Sequence, residues 1–194
     1  MVFVRIKRIY GKEYAYLVTN SWTGSGPRQK VSKYLGRLIR PEKAKSEGLQ
    51  AFLGLTSEQD LLDWIRKSSF KEVAAALIRL ELSNHRISNR EDGGNGLKIN
   101  VENAEFLDDK GKPVVVALDS GFLCGHTAKK LMDYENSAAA DYSGYNLADA
   151  LTAAGIAVEK EVFISVFGKV QAKTTAAKGE KETTKEAAFK DFYY

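Results

Sequence analysis

Three runs of alternating apolar and polar residues lie within residues 1–40, and this pattern constrains the fold more than any other feature of the chain. The runs are residues 2–7, 14–18 and 28–35. A repeat of two is typical of half-buried strands. Gly11 and the Gly- and Pro-containing residues 23–27 separate the runs as turns. The sequence therefore predicts a three-stranded antiparallel meander over residues 1–40, with one mostly apolar face and one basic face.

The positive charge of the protein is concentrated in the same segment. Residues 1–40 contain nine Lys or Arg and one acid, Glu13, and carry +8, so residues 41–194 carry −4 within a chain of +4. Such asymmetry suggests a binding face for a polyanion. Cations release counterions from phosphates, and exposed aromatic rings stack on unpaired bases. The nucleic-acid-binding residues predicted on this basis are Arg5, Lys7, Arg8, Tyr16, Arg28, Lys30, Lys33, Tyr34 and Arg37.

Two motifs of the meander carry a resemblance to a known family. Residues 11–18 read G-K-E-Y-x-Y-L-V, and residues 28–37 read R-Q-K-V-x-K-Y-L-G-R. This pattern resembles the short N-terminal segment that precedes the catalytic domain in some insertion-sequence transposases, and the resemblance covers residues 1–40. The rest of the chain resembles only uncharacterised small proteins.

The resemblance also directs attention to Asp119, which follows the hydrophobic run 114–118. In transposases of this kind the first catalytic Asp sits at such a strand, and metal-dependent phosphoryl transfer needs two or three carboxylates. Residues 120–194 predict helices and a tail rather than further catalytic strands. The resemblance therefore implies a chain that has kept the binding end and lacks the catalytic one.

Helix signals dominate residues 41–83. Pro41 followed by Glu42 predicts a helix start. Ser57 and Ser69 are good N-caps, and Glu72 completes a capping box with Ser69. Residues 84–96, which are polar and rich in glycine, predict a linker.

Residues 97–172 predict an α+β unit. A strand at 97–101 precedes a hairpin in which residues 106–107 pair with 113–118 around a turn at Asp109-Lys110-Gly111. Three helices, starting at Ser120, at Ser143 and before Val162, are expected to pack against this hairpin. Residues 173–194, biased toward Lys, Thr, Ala and Glu, predict a flexible tail that is disordered when free. The predicted fold class is α+β.

Composition narrows the remaining possibilities. No run approaches the ~20 apolar residues that span a bilayer, so no membrane partner is expected. Cationic residues interrupt the apolar N-terminus, which argues against a signal peptide. The single cysteine, Cys124, excludes an internal disulfide and fits a reducing compartment, so the expected location is the cytoplasm. Cys124 and His126 lack enough partners for a zinc site, and we predict no metal, no cofactor and no catalytic residue.

The sequence thus predicts a non-catalytic nucleic-acid-binding protein. RNA or ribosome contact is slightly favoured over DNA, because a basic sheet with a tail that folds on binding suits a structured RNA surface. The alternative is a protein-interaction or self-assembly module that uses the tail or an exposed sheet edge. A lesser alternative is a metal-dependent nuclease or transposase remnant built on Asp119. The cations could also merely solvate a strand edge, where lysine prevents aggregation.

Overall fold

A computed structural model describes residues 2–24, 26–87, 96–136 and 144–171 of the chain. Most of the predicted linker, the predicted helix start at Ser143 and the predicted tail at 173–194 lie outside these residues. The described part is a mixed α and β structure with an N-terminal three-stranded sheet, as the sequence predicts. Among its helices, none combines the length and the apolar character that crossing a bilayer requires.

The predicted meander forms, with longer strands than the alternating runs suggest. Its strands are β1 (Val2–Ile9), β2 (Lys12–Thr23) and β3 (Gly26–Ile39), and both pairings are antiparallel. Tyr10 and Gly11 connect β1 to β2 with φ angles of 47° and 75°. Positive φ at both central residues is the requirement of a type I′ hairpin turn, whose twist matches that of the strands.

The hairpin predicted between residues 106–107 and 113–118 does not form as such. A hairpin does form in this region, but residues 105–108 pair with the preceding strand instead. Strand β4 (Leu97–Asn100) pairs with β5 (Glu105–Asp108), while β6 (Val114–Ala117) pairs in parallel with β3 and in antiparallel fashion with β7 (Phe122–Leu123). Of the predicted pairing, the described residues show an isolated antiparallel bridge between Leu107 and Pro113. The valines of β6 are buried on both sides of the sheet, which is typical of an internal strand and explains the difference.

Six α-helices accompany the two sheets in the described residues. They are α1 (Leu49–Phe52), α2 (Glu58–Lys67), α3 (Phe70–Asn84), α4 (Gly125–Met132), α5 (Gly144–Ala154) and α6 (160–171). The predicted N-caps of α2 and α3 are confirmed: Ser57 with Asp60, and Ser69 with Glu72, form complete capping boxes. A short 3₁₀ turn, Tyr134–Asn136, follows α4.

The helix predicted at Pro41 does not form, because the segment bonds to the end of α3 instead of to itself. The backbone N–H groups of Ala44 and Lys45 donate to the Asn84 carbonyl at 2.8 and 3.1 Å. The Asn84 side chain accepts from the Glu47 N–H and donates to the Glu47 carbonyl. These bonds satisfy an orphan carbonyl of α3, and they hold residues 40–48 in irregular structure.

The helix predicted from Ser120 begins later, at Gly125. Residues 122–123 are taken into the sheet as β7, and Cys124 becomes the N-cap of α4. The Thr127 hydroxyl accepts from the Cys124 N–H at 3.1 Å and donates to the Phe122 carbonyl at 2.7 Å. Thr127 thus joins the strand to the helix.

Two apolar clusters lie on opposite faces of the five-stranded sheet, whose order is β1-β2-β3-β6-β7. The larger cluster contains residues of α1 to α6 and of β4 to β7, so the predicted helical segment and α+β unit contribute to one core. The smaller cluster consists of Ala15, Leu35, Leu38, Val115 and Cys124. The tyrosines of β2 and β3 belong to neither cluster, and that part of the sheet is left partly open.

We expect replacement of Gly36 by alanine to destabilise the fold by about 2 kcal/mol or more. Gly36 has a φ of 143°, and a Cβ there would lie 2.5 Å from the carbonyl oxygen of Pro113, where β3 meets β6. Urea unfolding measures the change. The matched control is Gly24→Ala, since a Cβ at Gly24 meets no atom within 4 Å. Equal stabilities of the two variants would contradict the expectation.

Candidate nucleic-acid interface

The cations of the meander lie on two faces, not on the single basic face that the alternation predicts. The register between β2 and β3 shifts between Ala15 and Tyr16 and again between Leu17 and Val18. Each bulge adds one residue to β3. Beyond the bulge, the side chains of β3 point to the opposite face from the one that simple alternation gives. One face of β3 therefore presents Arg28, Lys30, Lys33 and Leu35. The opposite face presents Gln29, Val31, Tyr34 and Arg37.

The first surface, called here the tyrosine face, consists of Tyr14, Tyr16 and Tyr34 with Arg5, Lys7 and Arg37. Its rings form a ladder across β2 and β3. The Tyr34 ring centroid lies 5.4 Å from that of Tyr16 and 6.4 Å from that of Tyr14, with tilted planes. Such separations are typical of favourable aromatic pairs. The ladder is therefore a continuous aromatic surface rather than three separate rings.

Cations surround this ladder at short range. Lys7 Nζ lies 5.3 Å from the centroid of the Tyr16 ring, within the range of a cation–π contact. Arg5 is directly opposite Tyr16 across the β1–β2 pair, and Arg37 is directly opposite Tyr14 across the β2–β3 pair. On this surface each of these three cations therefore lies next to, or directly opposite, a tyrosine ring.

A hydrogen bond braces the tyrosine face beside the ladder. Arg5 Nη1 donates to Gln29 Oε1, and this bond joins β1 to β3 across the intervening strand β2. The β2 residue midway between their partners is Val18, which is 1% exposed. The bridge therefore crosses β2 on the face that carries Val18.

The central tyrosine of the ladder has a perturbed pKa. Partial burial raises the pKa of Tyr34 above its usual value, and the neighbouring Tyr16 and Tyr14 add to this increase. Tyr34 is nevertheless 42% exposed. Its phenol is therefore neutral near pH 7, keeps its proton as a hydrogen-bond donor, and presents part of its ring to solvent.

The second surface, called here the lysine face, consists of Arg28, Lys30 and Lys33 on the other side of β3. Lys33 borders a cleft of about 310 Å³ that is also lined by His126, Lys129, Lys130 and Asp133. Partial burial lowers the pKa of His126, and the charges of Lys33 and Lys130 lower it further. The cleft is thus cationic already at neutral pH, when His126 is uncharged.

Arg8, the remaining predicted contact, lines a cleft of about 370 Å³ together with Arg37. It stands directly opposite Glu13 near the turn between β1 and β2. The Arg40 hydrogen bond of 2.8 Å lowers the pKa of Glu13, and the charge of Arg8 contributes to the decrease. Within the described part of the chain, Arg40 is the one cation among residues 1–40 that forms an ion pair. The other eight form no ion pair within the described residues.

A third group of charged residues includes Lys43 and Glu81, which line a cavity of about 300 Å³ beside α1 and α3. Lys43 Nζ lies 3.2 Å from the Asp119 carboxylate and 3.6 Å from that of the buried Glu81, which in turn contacts His85. These contacts raise the pKa of Lys43, chiefly through Asp119. The charges therefore pair with one another. In the described residues no three His, Cys, Asp or Glu side chains lie close enough together to hold a metal ion.

Tyr14 of the tyrosine face was not among the predicted contacts, nor were His126, Lys129 and Lys130, which line the cleft beside Lys33. Tyr14 precedes Tyr16 by two residues along β2, so the two side chains lie on the same face. The repeat of two was therefore enough to predict Tyr14 as a contact beside Tyr16. His126 lies far from Lys33 in the sequence. No local pattern could associate His126 with the meander, because the β3–β6 pairing and α4 bring them together.

Comparison of the chain with protein-family models, with curated proteins and with solved structures finds no match. Function is therefore inferred from the two surfaces of the meander and their chemistry.

Replacement of His126 by glutamine should weaken the pH dependence of stability between pH 7 and 5. The pKa of His126 is lowered in the fold, so on acidification the unfolded chain takes up the proton first. Stability supplied by neutral His126 is complete above about pH 6.5 and declines as pH falls toward the lowered pKa. Denaturant unfolding at several pH values measures this decline. The wild type and the variant both contain His85, so they differ only at His126. Identical dependence of their unfolding free energies on pH would contradict the role given to His126.

Proposed function

We propose that this protein binds single-stranded nucleic acid, with RNA favoured over DNA, through the tyrosine face of its N-terminal meander. The observation that carries the proposal is the ladder of Tyr14, Tyr16 and Tyr34, with Lys7 over one ring and Arg5 and Arg37 opposite two of them. Sheets whose exposed aromatics stack on bases are a recurring design among RNA-binding modules. The role is binding, with no chemical step.

The chemistry of the ladder favours bases over other anionic ligands. Each base has a π face that stacks on an aromatic ring, at a gain of about 1–3 kcal/mol per base. Tyr34 also offers a neutral phenolic O–H as a donor to base edges. A ligand that supplied only negative charge would use the cations and leave the rings without a partner.

The net charge supplies the second part of the binding energy. Eight of the nine cations in residues 1–40 make no ion pair in the described residues. Lys129 and Lys130 of α4 line the cleft beside Lys33 and add positive charge there, although Lys130 also lies 3.7 Å from the Asp149 carboxylate. Contacts of this kind release counterions, so affinity should fall steeply as salt rises. The 2′-hydroxyl of RNA adds a donor and acceptor for polar side chains such as Gln29, which favours RNA over DNA in this proposal.

The edge of β1 favours a second candidate function. Strand β1 ends the five-stranded sheet, and among the described strands none pairs with the outer side of its eight residues. A strand from a protein partner or from another copy could add there. Arg5, Lys7 and Arg8 oppose this use, because cations on an edge strand discourage pairing. Self-association at low salt, measured by light scattering without nucleic acid, would support this candidate.

We expect the double variant Tyr16→Leu/Tyr34→Leu to bind a 12-nucleotide oligouridine about tenfold or more weakly than the wild type at low salt. Leucine keeps apolar area but removes the stacking surface, at a cost of about 1–3 kcal/mol per base. Fluorescence anisotropy with a labelled oligonucleotide measures the affinity. Tyr145→Leu is the matched control, because Tyr145 is 78% exposed on α5, outside the meander. Unchanged affinity in the double variant would contradict the proposal.

The charge contribution is tested separately with Lys30→Glu/Lys33→Glu. We expect this variant to weaken binding and to lower the slope of log K against log salt by about 0.7 for each phosphate that no longer meets a cation. The control is Lys71→Glu/Lys160→Glu, which makes the same change in net charge at exposed positions on α3 and α6. If both variants reduce binding equally, net charge alone accounts for the effect and the lysine face has no specific role.

A further inference from the structure

The far end of the β2–β3 pair projects from the sheet as a two-stranded arm, defined here as residues 20–24 and 26–30. The register of β1 with β2 ends at Val2 and Thr19, whereas β2 and β3 remain paired as far as Thr23 and Gly26. The side chain of Trp22 lies within this arm and is 85% exposed, so it contributes almost nothing to the core. A single exposed apolar residue is common on protein surfaces, and Trp22 is therefore informative only through its surroundings.

Trp22 lies on the same side of β2 as the tyrosine face. Tyr16 and Trp22 are six residues apart, and an even separation places two side chains on the same face of a strand. At about 3.3 Å per residue, the separation is about 20 Å along β2. Pro27 stands directly opposite Trp22 and adds a second rigid apolar side chain at the tip. The indole and the tyrosine face therefore form the two ends of one track, with Val18 and Asn20 of β2 between them.

The reverse side of the same arm is cationic. Arg28 is opposite Ser21, and Lys30 is opposite Thr19, which alternation places away from Trp22. No Asp or Glu stands between Glu13 and Glu42. Because the arm has only two strands, a ligand that contacts the indole on one side has the cations of the other side within reach around an edge. A flat apolar group joined to negative charge is the chemistry that fits both sides.

We propose that Trp22 stacks on an unpaired base while Arg28 and Lys30 contact phosphates of the same strand. This inference rests on the proposed function and deepens it, since it names the ligand as a single-stranded segment that reaches from the tip of the arm to the tyrosine face. At a stacked rise of about 3.4 Å per nucleotide, a span of about 20 Å corresponds to about six nucleotides. An oligonucleotide of three nucleotides reaches one end of this track only.

Membrane contact is the competing explanation for an exposed tryptophan beside cations. Interfacial binding depends on a broad apolar face that enters the boundary of the acyl chains. The tip offers Trp22 and Pro27, and the neighbouring arm residues Asn20, Ser21 and Thr23 are polar. The arm therefore suits one flat ring on one base better than it suits insertion into a bilayer.

Tryptophan fluorescence reports the contact directly. The chain has two tryptophans, and Trp64 is partly buried against the large core cluster. The full-length Trp64→Phe variant therefore emits from Trp22 alone. We expect 12-nucleotide oligouridine at low salt to quench this emission and added salt to restore it. A 12-base-pair RNA duplex and vesicles of equal parts phosphatidylserine and phosphatidylcholine serve as comparison probes and should leave the emission nearly unchanged.

Affinity tests the same contact without the Trp64 substitution. Trp22→Ala in the otherwise wild-type chain should bind 12-nucleotide oligouridine about 5- to 150-fold more weakly, the range expected for one stacked base. Trp22→Phe, which keeps a ring, should stay within a few-fold of the wild type. Trinucleotide binding should respond to Trp22→Ala much less than binding of the longer probe. Circular dichroism should be unchanged in both variants, because the side chain is exposed.

The outcomes separate failure of this inference from failure of the proposed function. If the wild type and Trp22→Ala bind oligouridine equally while Tyr16→Leu/Tyr34→Leu does not bind, the arm contact is overturned and the tyrosine face stands. Emission that responds to the vesicles and not to oligouridine overturns the contact in favour of a membrane surface. If no nucleic acid binds the wild type at low salt, both proposals are overturned.

Discussion

The parallel pairing of β3 with β6 is the contact on which the rest of the structure depends. It joins the meander to the helical body through Arg37, Leu38 and Ile39, opposite Val114, Val115 and Val116. Gly36 permits the close approach, because its position leaves no room for a Cβ against Pro113. The side chains of this junction belong to both apolar clusters. Leu38 and Val115 belong to the smaller cluster on one face of the sheet, and Val114 and Val116 belong to the larger cluster on the other face. This short strand pair and the smaller apolar cluster thus anchor the meander at one end, and the distal part of its sheet is left partly open.

The elements that sequence could predict are those whose signals are local. Ser57 and Ser69 predict the starts of α2 and α3, because a capping box lies within four consecutive residues. The pairing of β6 could not be predicted in this way. Consecutive valines indicate a strand buried on both faces, but they do not identify its neighbours, and the actual partner β3 is distant in the sequence. The irregular segment after Pro41 could not be predicted for a related reason, since Asn84 supplies its hydrogen bonds from the far end of α3.

The interface shows the same limit at finer scale. Period-two alternation assigns each side chain of a strand to a face, but every bulge reverses the assignment from that point onward. Two bulges lie opposite β2 between Ala15 and Val18, and they place Lys33 and Tyr34 on faces opposite to those that simple alternation predicts relative to Arg28. Composition therefore predicted which kinds of residue the meander would expose. The division of those residues between two surfaces depended on backbone irregularities that no residue type marks.

That division has a consequence for how a nucleic acid could use the whole meander. Where the sheet has three or more strands, its two faces are separated by the sheet itself, and one strand of nucleic acid lies on one face only. In the arm the sheet narrows to β2 and β3, and an edge lies within one strand spacing of either side, about 4.8 Å. The arm is thus the place in the meander where bases on the aromatic side and phosphates on the cationic side are compatible with one continuous ligand. In the proposed complex, the tyrosine face acts as the wide platform for bases, and the arm is the point at which a strand turns from that platform toward Lys30 and Lys33.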